Sequence, residues 1–138
     1  MIQYIENTPE GCIIYQERET KRLTISNLSY IKKKCLESLF TYEGYLKAIH
    51  RELDIHYKVP VYFDAFMMMI PSKRVRDYDN IWINYASIQE IIEQVDGVKI
   101  YFFGNRQIHL KNSSKSIKKQ IKDLERIRFI KVKHFHDL

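Results

Sequence analysis

The sequence predicts an α+β fold: one domain over residues 1–138, built as an antiparallel sheet with two short central helices and a long basic C-terminal helix. Three observations carry that expectation. Short runs of strand-forming residues, broken by turn signals, fill the first 27 positions and return between residues 61 and 110. Apolar spacing changes to three and four at Leu28 and again after Asn112. Gly and Pro number only 4 and 3, too few for a flexible linker, and no internal repeat or composition break marks a boundary.

Ile2–Glu6, Cys12–Glu17 and Leu23–Ser26 read as strands, with turn material at Asn7-Thr8-Pro9-Glu10-Gly11. Leu28, Ile31, Cys35, Leu36, Leu39 and Phe40 suit one face of a helix that Ser26 or Asn27 caps. Tyr42, Leu46, Ile49 and Leu53 define a second helix over Tyr42–Leu53, despite Gly44. Pro60 bars a helix through Val59, and Val61–Ile70 is an apolar strand-forming run that Pro71-Ser72-Lys73-Arg74 ends. Ile81–Ile88 alternates as a strand, and its continuation through Ile92 is open between strand and helical turn. Asp96-Gly97 turns the chain into Val98–Phe103, and Gly104-Asn105 has hairpin chemistry leading to Gln107–Leu110. Asn112-Ser113-Ser114 caps the last helix, whose apolar stripe is Ile117, Ile121 and Leu124, widened by Ile127, Ile130 and the stem of Arg128. From Ser114 to about Lys131 it measures roughly 27 Å. His134–Leu138 reads as a frayed tail.

With 45% hydrophobic and 29% charged residues the chain reads as globular, not disordered. No apolar run nears the ~20 residues that span a bilayer, and the N-terminus lacks the pattern of a secretory signal. Two cysteines, Cys12 and Cys35, give no disulfide framework, so both thiols are expected reduced and packed, in the cytoplasm.

The net charge of +6 is concentrated. Lys111–Lys133 holds nine Lys or Arg against Asp123 and Glu125, a net of +7, and the rest of the chain nets −1. That is the footprint of a polyanion binder, although a solvated helix face has the same composition. Other chemistry has little support. There is no GxGxxG, P-loop or nucleophile elbow. His134-x-His136 has no Cys or acidic set to complete a metal site, so no metal or cofactor is expected. His109, Lys111 and His50 offer acid–base groups for a nuclease, but nothing in the sequence makes them converge. Met67-Met68-Met69 reads as core filler.

The order of segments resembles the competence transcription factor (ComK) family over roughly residues 10 to 128. The residues that carry the resemblance begin with Ile31, Cys35, Phe40, Tyr42-Glu43-Gly44 and Lys47-Ala48. They continue with Lys58-Val59-Pro60-Val61, Met69-Ile70-Pro71-Ser72, Trp82-Ile83, Ile88, Ile100-Tyr101-Phe102 with Gly104-Asn105, and Gln120. Ile70-Pro71-Ser72-Lys73 departs from the family pattern, and longer members carry more sequence after the last helix. The resemblance implies a transcriptional regulator of competence, with activator as the expected role, not an enzyme, that binds A/T-rich double-stranded DNA largely through the minor groove as a dimer or pair of dimers. An inactive relative that modulates a full-length regulator, or a protein-interaction module, is the alternative.

Groove widths then sort the basic residues. A helix 10–12 Å across does not enter a minor groove about 6 Å wide, so Lys115, Lys118, Lys119, Lys122 and Arg126 are expected on phosphates. Thin projections suit the groove: Lys73, Arg74 and Arg76 in one loop, Asn105 and Arg106 at a hairpin tip. Alternatively the loop arginines pair with Asp77 and Asp79 beside them.

Overall fold

The computed structural model describes residues 1–136. A meander opens the chain: β1 (Ile2–Thr8), β2 (Gly11–Gln16) and β3 (Thr20–Leu23). Helices α1 (Asn27–Glu37) and α2 (Tyr42–Leu53) follow, then β4 (Val61–Asp64), β5 (Met67–Pro71) and β6 (Ile81–Asn84). A 3-10 turn, Tyr85–Ser87, leads to a second meander, β7 (Ile88–Gln94), β8 (Gly97–Phe102) and β9 (Gln107–Leu110), and then to α3 (Ser114–His136). Six strands form one antiparallel sheet in the order β3-β2-β1-β6-β5-β4, and three form a second, β7-β8-β9. Among the described residues no helix is long and apolar enough to cross a membrane.

Both faces of the six-stranded sheet are covered. On one, Ile5, Cys12, Ile14, Val61, Met69 and Trp82 pack against Ile31 and Cys35 of α1 and Tyr42, Tyr45 and Ile49 of α2. On the other, Tyr4 and Ile83 meet Val98, Ile100 and Phe102 of the second sheet and Ile117 of α3, while Met68 and Ile70 meet Leu124. Burial on two sides explains why Gln3-Tyr4-Ile5 shows no polar alternation. The distal part of α3 is fastened by Ile127, which joins the first core, and by Lys131. The Lys131 ammonium sits 4.5, 5.2 and 5.8 Å from the ring centres of Phe40, Tyr45 and Tyr62 and donates to the Tyr62 carbonyl at 3.2 Å.

Asn84, fully buried, joins the layers with four hydrogen bonds. Its amide donates to the carbonyls of Ile2 (2.7 Å) and Phe66 (2.8 Å), and its oxygen accepts from the backbone of Met68 (2.9 Å) and Ala86 (3.1 Å).

The two meanders are one design used twice. β1 pairs β2 as Ile2↔Gln16, Tyr4↔Tyr15, Ile5↔Ile14 and Thr8↔Gly11, and β7 pairs β8 as Ile88↔Phe102, Glu90↔Tyr101, Ile91↔Ile100 and Gln94↔Gly97. The offset is constant, the register shift falls at the same place (Ile2/Tyr4, Ile88/Glu90), and the third strands end on Cys12↔Leu23 and Val98↔Leu110. A Cβ on Gly11 would lie 2.0 Å from the Leu23 carbonyl oxygen, and one on Gly97 1.9 Å from that of Leu110. Each meander is followed by a serine-capped helix: Ser26 accepts from Ser29 N, and Ser113 from Ser116 N, both at 3.1 Å. The sequence shows no repeat because one extra residue enters the second hairpin turn and most exposed positions differ; the unit is βββα, present twice.

Other expectations also need correction. The third strand is Thr20–Leu23, not Leu23–Ser26, because Ser26 is spent as a cap. Leu36 lies within α1 but on its exposed side, and α1 stops at Glu37 before Leu39, which takes a positive φ of 69° and is 94% exposed. Val61–Ile70 is a hairpin, not one strand, turning at Ala65-Phe66 where the Asp64 carboxylate accepts from Phe66 N at 2.7 Å. Ile81–Ile88 is interrupted by the 3-10 turn, and the continuation through Ile92 is strand. α3 runs past Lys131 to His136 in place of a frayed tail; Asp137 and Leu138 lie outside the described residues. Tyr42–Leu53, Gln107–Leu110 and the Gly104-Asn105 turn, with φ of 89° and 74°, are as expected. Both cysteines are buried, and burial pushes the Cys35 thiol up to about 11, which keeps it inert at neutral pH.

Two outcomes follow from this packing. Asn84→Ala strips four buried backbone groups of a partner and should lower stability by about 3 kcal/mol or more, read as a shifted urea midpoint. Burial pushes the Tyr15 and Tyr42 phenols up to about 12, with Glu6 adding to the shift at Tyr15, and it raises Tyr45 further. The fold holds these groups neutral, so their contribution is complete below the ordinary tyrosine value near 10 and drains away as pH rises from there toward about 12. Lys131, whose pKa burial lowers, works in the opposite direction but is one group against three. Denaturation midpoints should therefore fall above about pH 10 together with tyrosinate absorbance; flat midpoints would contradict the burial argument.

Candidate nucleic-acid interface

The loop from Ser72 to Asn80 is prebuilt by its own backbone and two buried asparagines. Ser72 N donates to Ile81 O and Ile81 N to Ser72 Oγ, each at 2.9 Å. Lys73 N donates to Asn80 Oδ1 at 2.9 Å, and Asn27 Nδ2 holds the Asn80 carbonyl at 2.8 Å. Asp77 N closes on Arg74 O and Asn80 N on Asp77 O. At the outer end, Asn7 Nδ2 donates to Tyr78 O at 2.9 Å.

The basic side chains of the loop differ in their freedom. Lys73 pairs with Asp79, and Arg74 Nε with Asp77 at 3.2 Å, so the local carboxylates do take these two. Asp79 is held below the usual carboxylate range chiefly by its hydrogen bond from Lys73. Arg76 is exposed and makes no ion pair among the described residues.

α3 is tied to this loop. Asn112 Nδ2 donates to Ser72 O at 2.7 Å, and Gln120 Nε2 to Pro71 O at 2.6 Å. Lys115, Lys118, Lys119 and Lys122 are exposed, opposite the buried Ile117, Gln120 and Leu124. Lys119 bonds Asp123 at 3.1 Å; Lys115, Lys118 and Lys122 make no ion pair among the described residues. Arg126 is drawn inward, donating to Leu53 O at 3.0 Å and lying 3.8 Å from Asp123. The first turn of α3 holds no acidic residue. Lysines there oppose the helix dipole, whose positive end adds to their field, so the start of α3 concentrates positive potential at some cost to helix stability.

The hairpin tip is elsewhere. Asn105 is exposed at the turn, but Arg106 donates to Gln3 Oε1 (2.8 Å) and Gln16 O (3.0 Å) and lies 5.0 Å from the Tyr15 ring centre. Gln3 also donates to Phe103 O at 2.6 Å. The tip thus docks at the start of β1, while the arginine loop reaches its end at Asn7. Four residues of extended strand separate them, about 13 Å. The root of the loop is thus joined to α3 at Ser72 and Pro71, and the hairpin tip docks at the other end of β1.

Several important residues were not anticipated. Asn27 and Asn112 were expected only as helix caps, and Asn80 carries no sequence signal beyond being an amide. Lys131 had one, standing seven residues after Leu124 and four after Ile127, on the buried side of α3. Of the nuclease set, His50 stacks on His56 with ring centres 4.7 Å apart, and His109 bonds Asp96 at 3.1 Å, so the two belong to different elements. The left-handed Asp54 lets the chain double back, which brings His56 to His50 across an unfavourable helical spacing. Among the described residues no group of three or more His, Cys, Asp or Glu could hold a metal; the side chains of His134 and His136 lie outside them.

A protein-family model described as "ComK protein" matches residues 3–135. Comparison with curated proteins and with solved structures returned no match.

Asn80→Ala removes the acceptor for Lys73 N and should loosen the loop. Amide exchange over residues 73–79 should quicken, with a stability loss of about 1–3 kcal/mol, while β8 and β9 exchange as before. Unchanged exchange in the loop would mean its order comes from elsewhere.

Proposed function

The chain belongs to the ComK family, a family of transcription factors and not of enzymes, and from that premise we propose that it regulates transcription by binding A/T-rich DNA through the minor groove. What supports this reading is the 72–80 loop and the first half of α3, joined at Ser72 and Pro71. There Arg76, Lys115, Lys118 and Lys122 present charge that no carboxylate among the described residues neutralises.

The division of labour follows from shape. α3 is too wide for a minor groove, so its lysines lie along the phosphates and supply affinity without reading sequence. The loop is thin, and Arg76 is its uncommitted guanidinium, suited to the strong negative potential of a narrow A-tract groove. Arg74 and Lys73 join it by exchanging Asp77 and Asp79 for DNA, which weakens their contribution. Asn105 reaches DNA only beyond that footprint, and Arg106 serves mainly to hold the tip in place. The regulator acts as a cytoplasmic dimer and activates competence genes.

Fluorescence polarisation with an A/T-rich and a G/C-rich duplex, repeated across salt, tests this. Lys115, Lys118, Lys119 and Lys122 together should give a slope of log K against log salt near −3.6, about 0.9 for each phosphate neutralised. Each lysine-to-alanine change should flatten the slope by about 0.9 on both duplexes. Arg76→Ala should cost about 1–3 kcal/mol on the A/T duplex and much less on the other. Salt-independent binding, or none to either duplex, would overturn the reading in favour of a protein-interaction module.

A further inference from the structure

We propose that β7 is the seat of a symmetric dimer, in which the β7 strands of two copies pair antiparallel about Ile91. The repeat supplies the argument. The two meanders share one register, so the outer edge of β7 corresponds to the outer edge of β1. In the first unit that edge is filled: β6 pairs with β1 as Tyr4↔Ile83, Ile5↔Trp82 and Glu6↔Ile81, and β5 and β4 extend the sheet beyond it. In the second unit nothing in the chain pairs with β7, which ends its sheet among the described residues. A seven-residue unpaired edge is an open template for another strand. Ile92 is exposed on it, and a groove of about 540 Å³ opens beside its first half, between Ile88–Ile91 and Met68, Tyr85 and Ile121.

The register on the filled edge indicates the occupant. The β1–β6 ladder is centred on Ile5, whose counterpart is Ile91. A second β7 centred there sets Ile91 against Ile91 and Glu90 against Ile92 of the partner copy, twice over by symmetry, over the same three positions that pair in the first unit; Gln89 stands at the bulge and lies outside this ladder. No like charges stand directly opposite. The nearest like pair, the two Glu90 side chains, is diagonal at about 7–8 Å. The product is a six-stranded sheet, β9-β8-β7 followed by the partner's three strands in reverse, with the same layout as the first sheet, where β6-β5-β4 completes β3-β2-β1. The interface is isologous and closes on itself.

Sedimentation equilibrium on the full chain without DNA tests the dimer independently of the nucleic-acid reading. The wild-type protein should pass from monomer to dimer as concentration rises. Ile92→Glu puts a carboxylate opposite each Glu90 in two places and should weaken the dimer about fivefold; Ile92→Lys should tighten it by a similar factor. Ile92→Glu combined with Glu90→Lys should restore wild-type affinity. Residues 90 and 92 are exposed, and equal thermal unfolding of the monomers will show that the fold is intact. A monomer at every concentration overturns the proposal. So does a dimer whose affinity ignores residue 92, since it would use another face.

Discussion

The buried amide of Asn84 is the constraint on which the two-sheet arrangement depends. It sits at the last position of β6, where the chain must leave the first sheet and start the second. A continuous strand there would carry β7 on in the plane of β6. The Asn84 oxygen instead caps the 3-10 turn through Ala86 N, and Ser87 Oγ bonds Asn84 O at 2.7 Å, so the chain bends out of the sheet. The same side chain ties down the start of β1 and the β4–β5 turn, which makes the bend and the sheet edge one cooperative unit. An apolar residue of similar size would fill the space but leave four buried backbone groups unpaired, a penalty large against the marginal stability of a small protein.

Placing the two βββα units back to back this way gives them different fates. Their strand cores correspond: Ile5, Cys12 and Ile14 in the first unit answer to Ile91, Val98 and Ile100 in the second. Their charges do not. In α1, Lys32 pairs with Glu43 and Lys34 with Glu37, so the first helix is largely neutralised. In α3, counted from its serine cap, the counterpart of Lys32 is Lys119, which bonds Asp123, but Lys115, Lys118 and Lys122 make no ion pair among the described residues. The first unit received its extra strands, α2 and the carboxylate of Glu43; the second kept an open edge and an uncompensated helix. The basic excess of the sequence is therefore a property of one repeat and not of the chain at large.

What was legible in the sequence was whatever depends on near neighbours. The α2 helix, the Gly104-Asn105 turn and the capped start of α3 each announce themselves through local spacing or positive-φ chemistry, and the structure keeps them. The β4–β5 hairpin was hidden because its turn is made by Asp64, Ala65 and Phe66, with neither Gly nor Pro to mark it. Leu39 continued a helical pattern that the chain abandons at Glu37, since periodicity counts residues and not where a helix stops. The loop lysine and arginines were found by charge, but which of them are spoken for depends on Asp77 and Asp79 in three dimensions. For Arg106 the sequence showed the hairpin tip but not the hydrogen bonds to Gln3 and Gln16, which come from far away in the chain.

The prebuilt loop bears on how sequence preference can arise. A flexible basic loop would lose conformational freedom on entering a groove, and that loss would oppose binding at every site alike. Here Ser72, Asn80 and Asn27 fix the backbone in advance, so in the proposed binding mode contacts made by Arg76 would not be offset by ordering it. The carboxylates of Asp77 and Asp79 add a second effect. Paired with Arg74 and Lys73, they lower the net charge of the loop around Arg76. In that mode discrimination would rest on groove shape and potential, with α3 supplying affinity for any duplex.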